Sequence, residues 1–146
     1  MKTIVLCILA CLVISCTPEA REINYGEEAC SYCRMTIVDE RYAAQLVSSK
    51  NKAHSFDATE CMIRYKNENE DRNWALELVT DYARPKELIP AGDAYIIRSK
   101  KLPSPMGMYL TATGSRKAAK ALQKKHGGQV HSYPKVADDL DKLPAL

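Results

Sequence analysis

The sequence predicts an α+β fold of two small lobes, each with the order strand, strand, helix, strand. Three observations lead there. Short β-prone stretches alternate with polar or Pro-containing turns. Helical spacing of apolar residues is confined to two segments. The order of elements in the first half recurs in the second, which suggests a pseudo-repeat.

Residues 42–47 (YAAQLV) suit a strand, 48–52 a polar turn, and 53–56 (AHSF) a return strand. Asp57-Ala58-Thr59-Glu60 then reads as a capping box, with Asp57 as N-cap and Glu60 three residues on. Ala58, Cys61, Met62 and Tyr65 follow at the spacing of one helix face, and the charge-rich run 67–73 ends that helix. Residues 74–82 (WALELVTDY) form a strand with Trp74 as a core anchor, and Pro85 and Pro90 mark an irregular connection. In the second half, 94–98 is a strand, Pro103 and Pro105 break the chain, and 106–113 resumes an extended pattern. Residues 115–126 make a helix stopped by Gly127-Gly128, and 129–133 is the last strand. The lobes then span about 30–90 and 91–136, and the tail 137–146 has no clear period.

The N-terminus sets the compartment. Lys2 precedes an apolar run of about 12 residues, too short for the ~20 that a spanning helix needs. Residues 1–15 therefore read as a secretory leader, excluded from the fold. Val13-Ile14-Ser15-Cys16 resembles a bacterial lipobox, with Cys16 as the acylated residue; cleavage before Cys11 would leave a very short apolar core. The expected product is a cell-envelope lipoprotein, anchored to a membrane through Cys16 and facing the extracytoplasmic side. Residues 16–29 are a polar tether. The processed chain keeps Cys30, Cys33 and Cys61, so at most one internal disulfide forms and one thiol is left over. The formal charge of +3, about +2 without Lys2, excludes a strong electrostatic case for nucleic acid.

The chemistry concentrates in CSYCRM, residues 30–35. A Cys-x-x-Cys pair suits a redox motif, a structural Cys30–Cys33 disulfide or a metal site. A redox motif wants a helix to follow, whereas Met35-Thr36-Ile37-Val38 looks extended; structural zinc wants a second ligand pair, which the sequence lacks. In an extended segment, Cys33 and Met35 project to one side, offering thiolate and thioether together, a soft pair that selects Cu(I). A second sulfur cluster, Met106 and Met108 around Gly107, lies in the Pro-rich loop of the second lobe, where a site between lobes collects it. Cys61 and Met62 share the apolar helix face, which fits core packing better than metal ligation; His54 lies in a strand, with His126 and His131 as further histidines. No serine-histidine-aspartate set, phosphate-cradling glycine loop or spaced carboxylate pair is present, so no catalytic set emerges.

These residues resemble the NosL lipoproteins, accessory proteins of nitrous-oxide reductase assembly. The resemblance rests on Cys30, Cys33 and Met35; the Phe56-Asp57 pair before a helix; Val79-Thr80-Asp81-Tyr82; Tyr95 leading to Pro105-Met106-Gly107; and Gly127-Gly128. It implies a non-enzymatic Cu(I) chaperone whose partners are a copper-receiving apo-enzyme, nitrous-oxide reductase in the first place, and other copper-handling membrane proteins. It implies Cys33 and Met35 as Cu(I) ligands, Met106 as the next, and a fold similar to the C-terminal region of organomercurial lyase. Cys30 is then an auxiliary thiol. Many relatives carry Gly where this chain has Arg34, and a second tryptophan expected after Val79 is missing. The alternatives from other classes are a thiol-disulfide oxidoreductase and a structural module closed by Cys30–Cys33.

Overall fold

The computed structural model describes residues 17–146, so the expected leader and Cys16 lie outside the described residues. The first half places β1 (Ala44–Ser48) and β2 (Ala53–Phe56) before helix α1 (Thr59–Asn67), then β3 (Trp74–Thr80) and a short β4 (Leu88–Pro90). The second half repeats the order with β5 (Tyr95–Arg98), β6 (Leu110–Thr113), helix α2 (Arg116–His126) and β7 (Gln129–Ser132), and adds helix α3 (Tyr133–Asp138). All pairings are antiparallel, in two sheets of order β2-β1-β3-β4 and β6-β5-β7. The α+β class and the repeated strand-strand-helix-strand order agree with expectation.

One core serves both sheets. Leu46, Phe56 and Val79 from the first pack with Ile96, Leu110 and Ala112 from the second, and Met62 and Ile63 of α1 lie among them. Burying each of the larger of these side chains contributes about 1.5–3 kcal/mol, which is why α1, packed against both sheets, fixes their relation. Polar links cross the same seam. The Tyr82 amide donates to the Ala112 carbonyl at 3.0 Å, and the Tyr133 hydroxyl donates to the Glu77 carboxylate. Glu60, 1% exposed, accepts from the Ser104 hydroxyl and from the Met108 amide at 3.3 Å, tying α1 to the β5–β6 connection. Its second oxygen is buried without a partner among the described residues, and burial pushes the Glu60 carboxyl above the ordinary range.

Several expectations need correction. The capping box does not form: α1 begins after Ala58, which makes no side-chain cap, because Asp57 and Glu60 turn inward to other partners. Residues 106–109 are not extended. Gly107 (φ 77°) donates to Ser104 in a turn and Tyr109 is left-handed (φ 63°), so β6 starts only at Leu110. The Pro85–Pro90 connection holds β4, an edge strand where Pro90 loses no ladder bond it needs. The last strand stops at Ser132, since Pro134 in the first turn of α3 favours a helix there.

The stretch expected as a tether is held against the domain from Glu19 onward. The Arg21 amide and carbonyl bond the side-chain amide of buried Gln45 at 2.9 and 3.0 Å, and Ile23 enters the core. The tail is also seated, through buried Val136 and Leu140.

Gly128 lies at φ 91° against the sheet, where an added Cβ would fall 2.2 Å from the Arg98 carbonyl oxygen. Gly128→Ala is expected to cost about 3 kcal/mol in denaturant unfolding, whereas Gly92→Ala, in open space, changes stability by under about 0.5 kcal/mol. Glu60 yields a second expectation. A carboxyl with a raised folded pKa binds its proton more tightly folded than unfolded, so stability falls as pH climbs past its ordinary value of 4.5. Glu60→Gln removes that loss, so the unfolding free energy of the variant should decline less from pH 4 to 8 than that of the parent; equal slopes would contradict the assignment.

Candidate metal site

The loop that opens the domain is shaped by main-chain bonds. Ala29 and Thr36 form a bridge, the Cys30 amide donates to the Met35 carbonyl at 2.8 Å, and the Arg34 amide donates to the Cys30 carbonyl at 3.1 Å. Residues 30–35 therefore close on themselves and are not extended, which corrects the geometry expected of Cys33 and Met35. The reversal needs a left-handed residue, and Arg34 supplies it at φ 68°. A non-glycine residue there costs roughly 1 kcal/mol, and a glycine would adopt the same conformation freely.

The Ser31 amide donates to the Ser55 carbonyl at 2.8 Å and hooks the loop over the end of β2. That contact faces Cys30 and Cys33 toward the turn from β2 into α1. Asp57 and Cys61 sit there, four residues apart across the start of the helix. The sulfurs of Cys30, Cys33 and Cys61 and a carboxylate oxygen of Asp57 all lie within 4.8 Å of one another. Cys30, Asp57 and Cys61 are buried and Cys33 is half-buried, so the cluster opens to solvent on the Cys33 side. All three cysteines are free thiols.

The protonation pattern follows from the contacts. The Cys61 thiol donates to the Cys30 sulfur, and the amides of Asp57, Cys33 and Tyr32 point at it too, which against the cost of burial lowers Cys30 to about 6. Burial and the neighbouring charges of Cys30 and Asp57 push Cys33 up to about 11, and its thiol donates to Asp57 at 3.5 Å. Cys61 is raised, first by the hydrogen bond it gives Cys30. The result is one thiolate held between two thiols, beside a carboxylate. Such a set can take up a thiophilic cation while releasing protons.

Of the other expected donors, Met106 and Met108 line a cleft of about 250 Å³ with Cys61, Glu60, Tyr32 and Arg64, so the second lobe does bring its sulfurs to the first. Met106 is 40% exposed, and Met35 stands 57% exposed on the reversed loop. Met62 is fully buried in the core. His54 is held elsewhere, its ring 5.5 Å from Trp74 and its Nδ1 3.3 Å from the Tyr65 hydroxyl. Asp57 joins the cluster as a donor outside the sequence expectation, and its four-residue spacing from Cys61 is the signal that carries it.

A family model described as NosL matches residues 22–140 of this chain. A crystal structure of the copper chaperone NosL from Shewanella denitrificans superposes with a TM-score of 0.70 at 18% sequence identity, covering 81% of this chain and 95% of that one. At that identity the likeness is one of fold. No curated protein matches the chain. With a family match that runs from the first core residue, Ile23, to the last, Leu140, the chain belongs to the NosL family.

Proposed function

We propose that this protein is a non-enzymatic copper chaperone that binds Cu(I) at the Cys30, Cys33 and Cys61 cluster. The observation that carries the reading is the convergence of three thiols and the Asp57 carboxylate within 4.8 Å, next to a cleft lined by Met106 and Met108. Thiolate and thioether donors favour Cu(I) over harder ions. Cys33 is the half-buried member, so it faces an incoming or departing ion first. Met35 and Met106, both exposed, offer thioethers outside the buried thiols. Exchange of one sulfur donor for another then moves the ion without its release into water. The NosL fold, shared with the copper chaperone NosL from Shewanella denitrificans, supports the same reading.

The chain acts from the cell envelope, lipid-anchored through Cys16, and its client is an extracytoplasmic apo-enzyme. Nitrous-oxide reductase is the client that the family resemblance implies. A second reading has one observation in its favour: three cysteine sulfurs and a carboxylate match the four donors of a tetrahedral zinc site.

Titration with Cu(I) against a competing chelator separates them. Cys33→Ser and Cys61→Ser should each weaken Cu(I) binding about 100-fold, and Zn(II) at equal concentration should not displace it. Affinity should also fall as pH is lowered, because Cys33, titrating at about 11, must give up its proton to bind. Unchanged Cu(I) affinity in both variants would end the reading, and tighter Zn(II) binding would replace it with the second.

A further inference from the structure

The modest net charge hides a strong separation of charge along the chain. Between Asp93 and Asp138 there are nine Lys and Arg residues and no acid, while residues 17–93 carry ten against fifteen acids. The second lobe is thus markedly positive and the first negative. Seven of the nine cations are exposed on two neighbouring elements. Arg116, Lys117, Lys120, Lys124 and Lys125 lie on α2, and Lys100 and Lys101 on the turn after β5. The Ser99 hydroxyl donates to the His126 carbonyl at 2.8 Å, joining that turn to the end of α2. None of the seven takes part in any ion pair among the described residues.

This face also has an apolar seam. A groove of about 350 Å³ runs beside α2, lined by Tyr82, Ala118, Ala121 and Leu122, with Lys125 at its edge. An apolar centre within a charged rim is the anatomy of a protein-protein interface. The position of the chain's entry argues against a membrane as the occupant. The Glu19 amide is held by the Asn51 side chain at 2.9 Å, at the β1–β2 turn. β3 pairs with β1 at that end through Trp74 and runs its seven residues, roughly 20 Å, before reaching Tyr82 at the groove. The described chain therefore enters at the opposite end of the first sheet from the groove. The thiol cluster, beyond Phe56 at the far end of β2, shares the groove's end of that sheet.

We infer that the α2 face, with Lys100 and Lys101, is the docking surface for the protein that exchanges copper with this one, and that this partner presents an acidic surface with an apolar side chain at its centre. The inference rests on the copper reading for the partner's role, and on charge and groove for its chemistry. Opposite charge would steer the encounter, and the groove would fix its register.

A fluorescein-labelled peptide of alternating Glu and Leu serves as probe, with the purified full chain. It should bind, and should weaken at least about 10-fold as salt rises from about 0.02 to 0.2 M. Reversing Lys117, Lys120, Lys124 and Lys125 to Glu should weaken it at least about 30-fold, and the milder Gln replacements should fall between. Leu122→Arg should abolish the advantage of this peptide over one with Ser in place of Leu. Cu(I) affinity should stay unchanged in the reversed chain, so failure of the docking surface and failure of the copper site are read separately. The proposal is overturned if the reversals leave peptide binding intact. It is equally overturned if they reduce binding to phosphatidylglycerol vesicles more than binding to the peptide. Sedimentation supplies a third decisive result, a head-to-tail dimer of the chain whose formation the reversals abolish.

Discussion

The site depends on one join: the Ser31 amide bonded to the Ser55 carbonyl, with the Asp57 amide turned to the Cys30 sulfur. These contacts fasten a short reversed loop to the exit of β2. Without them, Cys30 and Cys33 would belong to a surface loop and Cys61 to an ordinary helix face. With them, the helix start contributes Asp57 and Cys61 to the same few ångströms. The N-terminal turn of a helix is suited to this use, because its amides are free of intrahelical partners and favour a nearby negative sulfur.

Residues 57–61 show why part of the fold was legible in the sequence and part of the site was not. Strand and helix positions follow from hydrophobic period, and β1, β2, α1, β5 and α2 fall within a residue or two of expectation. Asp57 and Glu60 have the spacing of a capping box, and local pattern cannot reveal that tertiary partners claim both side chains. Asp57 is drawn to a thiol that arrives from 24 residues upstream, and Glu60 to a hydroxyl 44 residues downstream. Propensity is local, and these contacts are not. Arg34 illustrates the converse. As a charged insertion beside a sulfur site it had no evident purpose, but its left-handed backbone explains why glycine suits that position and what arginine costs there.

Charge followed a similar course. The whole-chain sum is small and excludes a highly basic protein, yet a sum says nothing about placement. The lobes divide the charge between them. The acidic lobe contributes the thiol cluster and the basic lobe contributes α2 and the methionine loop. A dipole of this kind orients an approaching charged partner before contact.

Seen together, these features give the molecule a direction. The chain enters at the β1–β2 turn, and the strands of the first sheet carry the fold away from that turn. At the far end the two lobes meet, and each leaves something outside the shared core. The first lobe leaves Cys33 half-buried and Met35 exposed; the second leaves Met106 exposed and a row of exposed cations that form no ion pair among the described residues. A soft ion bound there would be shielded on the core side by Cys30 and Cys61 and reached from the Cys33 side. Binding and release would then use one opening, so the direction of transfer would be set by which protein offers the better sulfur donors.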